Sequence, residues 1–93
     1  MVPLDKLAQI AERFEFLEAQ LNAGAAPGEI ARISREYTDL KSVVEEIRAY
    51  RQSLDDLTEA EAMLSDPEMK ALAEEELPRL KARIPEMEQA LRL

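Results

Sequence analysis

The chain is 93 residues long, 46% hydrophobic and 34% charged, with a net charge of −8, which is enough for one small domain and too short for two. It contains no cysteine and no histidine, so disulfides, thiolate or imidazole metal sites, and Ser/His or Cys/His catalytic arrangements are excluded. The opening Met1-Val2-Pro3-Leu4-Asp5-Lys6 has no basic segment followed by an apolar one, and no apolar run approaches the length that spans a bilayer; a soluble, cytoplasmic protein is expected.

Only Phe14, Phe16, Tyr37 and Tyr50 are aromatic. The core must therefore be built from Leu, Ile, Val, Met and Ala, a composition that favours helix packing over sheets. A first helix follows Pro3, over about 3–22, because Leu7, Ile10, Phe14, Leu17 and Leu21 alternate steps of three and four in the manner of a coiled-coil seam. Asn22-Ala23-Gly24-Ala25-Ala26-Pro27-Gly28 then holds both glycines of the protein beside a proline and reads as a loop.

A second series begins at Ile30 and runs through Ile33, Tyr37, Leu40, Val44 and Ile47, then through Tyr50, Leu54, Leu57 and Leu64. It predicts a long helix over about 29–64, with a slip in the seam between Ile47 and Tyr50 where two steps of three follow one another. At 1.5 Å per residue this helix reaches about 50 Å, more than one small core needs, so it must project or pair along its length.

Ser65-Asp66-Pro67-Glu68 is read as the next helix start. Ser65 or Asp66 can accept from the exposed amides, Pro67 loses nothing in the first turn, and Glu68 completes a capping box if Ser65 is the cap. A third helix over about 67–92 carries Met69, Ala73, Leu77, Leu80, Ile84, Met87 and Leu91 on one stripe. Pro78 and Pro85 fall inside it, and each removes a backbone hydrogen bond at a cost of about 3 kcal/mol if the helix stays straight. Kinks are expected there, or else a stop near Leu77 and a new first turn at Pro78. The pattern reaches Leu93 without a glycine, asparagine or proline stop, so the chain is expected to be part of something larger. The expected fold is all-α: an up-down-up three-helix bundle, or an antiparallel coiled-coil hairpin with a long central helix, in which the chain reverses around Asp66 and Pro67. Such a piece, with little surplus apolar burial, is also expected to be able to dimerise.

The charge is unevenly placed. Between Asp55 and Glu76 there are nine acids and one base, Lys70, a balance of −8, and the remainder of the chain sums to zero. A field of that sign repels nucleic acid phosphates and anionic lipid and attracts a basic protein surface. The competing reading of the same residues is a solvated face that only keeps the domain in solution. Metal binding by Glu74-Glu75-Glu76 is disfavoured because consecutive helix positions point in different directions. Arg32, Arg35, Lys41, Arg48 and Arg51 are interleaved with Glu36, Asp39, Glu45 and Glu46, which suits pairing along the helix better than phosphate contacts. Tyr37 and Tyr50 lie on the apolar stripe and read as core rather than base-stacking platforms. With Gly24 and Gly28 the only glycines, no phosphate loop exists.

The stretches ISREYTDLKSVVEEIRAYRQ (33–52) and AEAMLSDPEMKALAEEEL (60–77) carry a further signal. Together with the Leu4 to Phe16 helix, Arg35-Glu36-Tyr37, Val43-Val44 with Tyr50, and Ser65-Asp66-Pro67-Glu68-Met69 followed by the acidic run to Leu77, they resemble the N-terminal domain of the bacterial peptide chain release factor 1 family. These are the class I factors that read UAA and UAG stop codons. The resemblance spans all 93 residues. It implies a factor that enters the ribosomal A site and triggers hydrolysis of peptidyl-tRNA, chemistry the family performs with a Gly-Gly-Gln motif after recognising the codon with a Pro-x-Thr tripeptide. Neither occurs here, since there is no Gly-Gly pair and none of the five prolines has threonine two positions later. No catalytic residue, codon-reading residue, cofactor or metal site is carried over.

What the resemblance implies for this region is a docking domain near the stalk base of the large ribosomal subunit. The class II GTPase factor and the methyltransferase that modifies the catalytic glutamine are implied as further partners. On that basis Asp55, Asp56, Glu59, Glu61, Glu68, Glu74, Glu75 and Glu76 are the expected partner-binding residues, facing a basic ribosomal protein. The alternative function is a structural or adaptor coiled coil unrelated to termination, of which a synthetase's tRNA-binding arm is disfavoured by the missing basic flank. A small enzyme is remote.

Overall fold

A computed structural model describes residues 2–91. The all-α expectation is borne out: the described residues form α1 (Leu4–Asn22), α2 (Pro27–Met63) and α3 (Lys70–Ala90), with no strand among them. They divide between Ile47 and Arg48 into two compact units, at the point where the apolar seam slips.

The first unit sets α1 against residues 27–47 of α2. Leu7, Ala11, Phe14 and Leu17 from α1 and Ile33, Val44 and Ile47 from α2 are buried. Arg13 pairs with Glu36 and Phe14 with Tyr37 across the two segments, which the short loop between Asn22 and Pro27 makes antiparallel. α1 ends where the sequence predicts, and for a backbone reason. Gly24 adopts φ +81°, the left-handed region that glycine enters at no steric cost, while the Ala23 and Gly24 amides close the last turn onto the Ala19 and Leu21 carbonyls. The loop that follows is shorter than expected. α2 opens at Pro27 rather than Glu29, with the Glu29 and Ile30 amides donating to the Ala26 carbonyl, so Gly28 is helical. Proline is well suited to a first helical position because its φ is already set and its missing amide has no helical partner to lose. Ile30 consequently stands exposed instead of opening the core stripe.

The second unit sets residues 48–63 of α2 against α3. Tyr50, Ser53, Ala60, Ala73, Leu77, Ile84 and Leu91 are its buried residues. This corrects the expected stripe. Leu54 and Leu57 are only half-buried, Leu64 and Met69 are exposed, and beyond Tyr50 the buried positions on this part of α2 are taken by the smaller Ser53 and Ala60. Small side chains at a helix contact let the backbones approach, and the leucines then flank the seam rather than fill it. Ala73 has no exposed surface, so Ala73→Leu is expected to destabilise by about 1–3 kcal/mol through overpacking. Urea denaturation followed by circular dichroism reads this, and an unchanged midpoint would mean the contact has room to spare.

α3 begins at Lys70, not Pro67, since Pro67, Glu68 and Met69 lie in the preceding turn. It runs through Pro78 and Pro85 without interruption, so the alternative of a stop at Leu77 and a restart at Pro78 does not occur. Both prolines are exposed, and the carbonyls they leave without a helical donor belong to the exposed residues Glu74 and Lys81, where water can serve. The expected continuation to residues 92 and 93 lies outside the described residues.

Candidate functional site

The acidic residues singled out in the sequence occupy three consecutive parts of the second unit. Asp55, Asp56, Glu59 and Glu61 sit on the last turns of α2, Glu68 in the turn, and Glu74, Glu75 and Glu76 on α3. Asp56 and Glu76 are half-buried and the others exposed. Among the described residues the only ion pair reaching this stretch is Arg79 to Glu75 at 3.7 Å, and Asp56 accepts from Gln52 at 2.9 Å. The charge is therefore largely uncompensated locally, which is the condition for a long-range field. Among the described residues no group of three or more carboxylates converges to hold a metal ion.

The turn that carries this charge is tightly bonded. Past Met63 the chain narrows, with the Leu64, Ser65 and Asp66 amides donating to the Glu61, Ala62 and Met63 carbonyls. Asp66 then organises the next start alone. Its side chain accepts from the Glu68 amide at 3.0 Å, and its carbonyl accepts from the Met69 and Lys70 amides at 3.0 and 2.8 Å. The expected Ser65 to Glu68 capping box does not form. An Asx-type bond to the residue two positions on satisfies the same exposed amides within a shorter turn.

Three large apolar side chains in the same place were not anticipated as a surface. Leu64 and Met69 are each 37% exposed and Leu72 is 45% exposed. Periodicity assigned Leu64 and Met69 to the core stripe, and passed over Leu72.

Of the pairing expected along α2, Arg32 with Glu29 is seen, whereas Glu36 is engaged from another helix. Glu36 does not bond a neighbour on its own helix. It receives a two-pronged bridge from Arg13 of α1, Nε at 2.6 Å and Nη2 at 2.9 Å. That hydrogen-bonded fork holds the Glu36 carboxyl below the usual carboxylate range and raises Arg13 further. An open groove along the start of α2, lined by Gly28, Ala31, Arg32, Arg35, Glu36 and Asp39, is thus partly neutralised by its own carboxylates. The core reading holds for Tyr50, which is buried and donates its hydroxyl to Glu88 at 2.7 Å, whereas Tyr37 is half-buried and stacks on Phe14 with ring centroids 4.6 Å apart. No helix among the described residues is long and apolar enough to cross a membrane.

Comparison with known families and proteins adds the following. The model of the PCRF domain family matches residues 10–93. A protein of Dinoroseobacter shibae named peptide chain release factor 1 is 69% identical over 93 residues, all of this chain and 26% of the relative. The protein of that name from Ruegeria pomeroyi is 59% identical over the same span and share. That of Gluconobacter oxydans is 39% identical over 90 residues, 96% of this chain and again 26% of the relative. The chain thus spans about a quarter of the length of the curated relatives it matches. No solved structure matches.

Proposed function

The chain belongs to the PCRF domain family, and from that premise we propose that it is the N-terminal docking domain of a translation termination factor that works on the ribosome in the cytoplasm. The observation that carries the proposal is end-to-end similarity, at up to 69% identity, to proteins named peptide chain release factor 1. Those relatives are about four times longer, and neither Gly-Gly-Gln nor Pro-x-Thr occurs in this chain. Codon reading and peptidyl-tRNA hydrolysis are therefore assigned to the remainder of the parent polypeptide, and this region contributes association and orientation without a catalytic step. The family match runs across the division at Ile47 and Arg48, which supports treating 1–93 as one functional domain. No observation favours an unrelated adaptor.

The acidic residues on the end of α2, the turn and the start of α3 are proposed to face a basic ribosomal protein at the stalk base of the large subunit. The class II GTPase factor and the glutamine methyltransferase remain proposed partners on the strength of the resemblance. Support for the acidic surface comes from the exposure of most of its residues and from sparse local counter-charge, with Arg79 to Glu75 the one ion pair reaching it among the described residues. Electrostatic steering acts on association more than on residence time.

Two measurements test this. In the full-length factor, removing residues 1–93 is expected to raise the concentration needed for half-maximal peptide release at a stop codon, while release at saturating factor stays within a few-fold. An unchanged half-saturation point would overturn the docking role. Replacing Glu74, Glu75 and Glu76 together with Gln is expected to slow association with ribosomes by about three- to tenfold at low salt and flatten its salt dependence. An unchanged association rate would return these residues to a solvated face.

A further inference from the structure

The turn between α2 and α3 combines two features that a solvated face does not need together. One is the field: nine acids and one base between Asp55 and Glu76. The other is Leu64, Met69 and Leu72, three large apolar side chains with more than a third of their surface in solvent, all on or beside that one turn. A single exposed leucine is ordinary, whereas three large apolar side chains exposed within nine residues offer material for an apolar contact. Nor is the segment slack. The bonds from the Glu68, Met69 and Lys70 amides to Asp66 fix the backbone at Met69, so little ordering remains to be done on binding.

Charge decides what kind of surface covers it. Nucleic acid and anionic lipid bring phosphates into a field of the same sign. A second copy of this chain would set one acidic turn against another. A basic protein surface is the occupant whose charge is complementary.

We propose that Leu64, Met69 and Leu72 form an apolar anchor that seats in a hydrophobic pocket on a basic protein of the ribosome, with the surrounding carboxylates as its polar rim. The inference rests on the docking function above and divides the labour within that site. Rim charges govern how fast the partner is found, whereas desolvated apolar contacts at the centre govern how long it is held. The two sets of side chains therefore have separable kinetic signatures.

The test uses the full-length factor and purified ribosomes paused at a stop codon, with association and dissociation followed separately by stopped-flow fluorescence. Met69→Gln with Leu72→Gln changes only exposed side chains and keeps good helix formers, so an unaltered melting curve is expected. The anchor requires dissociation to rise about tenfold while association stays within about twofold. Dissociation unchanged in a variant that melts normally overturns it, as does a slowing confined to association. A photoreactive residue at position 72 should crosslink to a ribosomal protein; crosslinking to ribosomal RNA, or to a second copy of the factor, overturns the choice of partner. If the parental factor itself binds normally after removal of residues 1–93, the docking function fails and the anchor fails with it, an outcome distinct from failure of the double variant alone.

Discussion

Replacing Tyr50 with alanine destabilises the second unit by about 3–5 kcal/mol, the range for deleting a buried aromatic ring and leaving a cavity behind. The ring is only 2% exposed and is the largest fully buried side chain among the described residues. Its hydroxyl donates to Glu88 Oε2 at 2.7 Å, so the substitution also removes the bond that satisfies the buried end of the ring. Denaturant unfolding of the domain measures the loss, and a cost below about 1.5 kcal/mol would mean the surrounding helices collapse into the space. Tyr50→Phe separates the two contributions. It keeps the packing and removes one hydrogen bond, at about 1 kcal/mol.

A pH dependence accompanies this residue. Burial first, then the hydrogen bond and charge of Glu88, push the Tyr50 hydroxyl from 10.0 up to about 12. A group whose folded value lies above its unfolded value holds its proton more tightly in the native state. Its stabilising contribution is complete below pH 10 and is lost as the pH rises toward 12. A stability profile over that window should fall in the parent chain and fall less steeply in Tyr50→Phe. Parallel profiles would show that the loss arises elsewhere.

Phe14→Ala is the corresponding deletion in the first unit, and about 3–5 kcal/mol is again expected. Phe14 is 4% exposed and stacks on Tyr37 at 4.6 Å with an interplanar angle of 18°. Phe14→Leu retains most of the volume while ending the ring stack, so it isolates the aromatic pair at about 0.5–1.5 kcal/mol. A cost near zero for Phe14→Leu, measured by the same unfolding assay, would remove the stack from the account and leave burial alone.

Much of this molecule can be read along the chain because local rules and global fold agree. Leu7, Phe14 and Leu17 fall on a coiled-coil spacing and are buried as that spacing demands. Ala73, Leu77 and Ile84 behave likewise in α3, as does Leu91 just past its end. Punctuation was equally legible: Gly24 takes the left-handed conformation that ends α1, and the Ser65-Asp66-Pro67-Glu68 segment separates α2 from α3. The acidic stretch was visible as a count of charges, and the family resemblance as an order of short motifs. Three errors have physical causes. Pro27 was assigned to a loop although it opens a helix, because proline serves both positions. Ser65 and Asp66 were both offered as acceptors, and the capping box that depended on Ser65 does not form because Asp66 makes the bond. Leu54 was placed in the core instead of Ser53, because residue size outweighed position.

The sequence by itself determined the three helices, the breaks between them, the sign and place of the charge, and the family. Those follow from backbone preferences and from residue type, which are properties of each short segment alone. Only tertiary structure decided that Glu36 answers to Arg13, that Tyr50 answers to Glu88, that Ser53 and Ala60 rather than larger neighbours line the contact with α3, and that Leu64, Met69 and Leu72 stand in solvent. A helix turns about 100° per residue, so a difference of one position moves a side chain from the seam to its flank. Which position wins depends on the shape of the helix lying opposite, and no local pattern contains that shape.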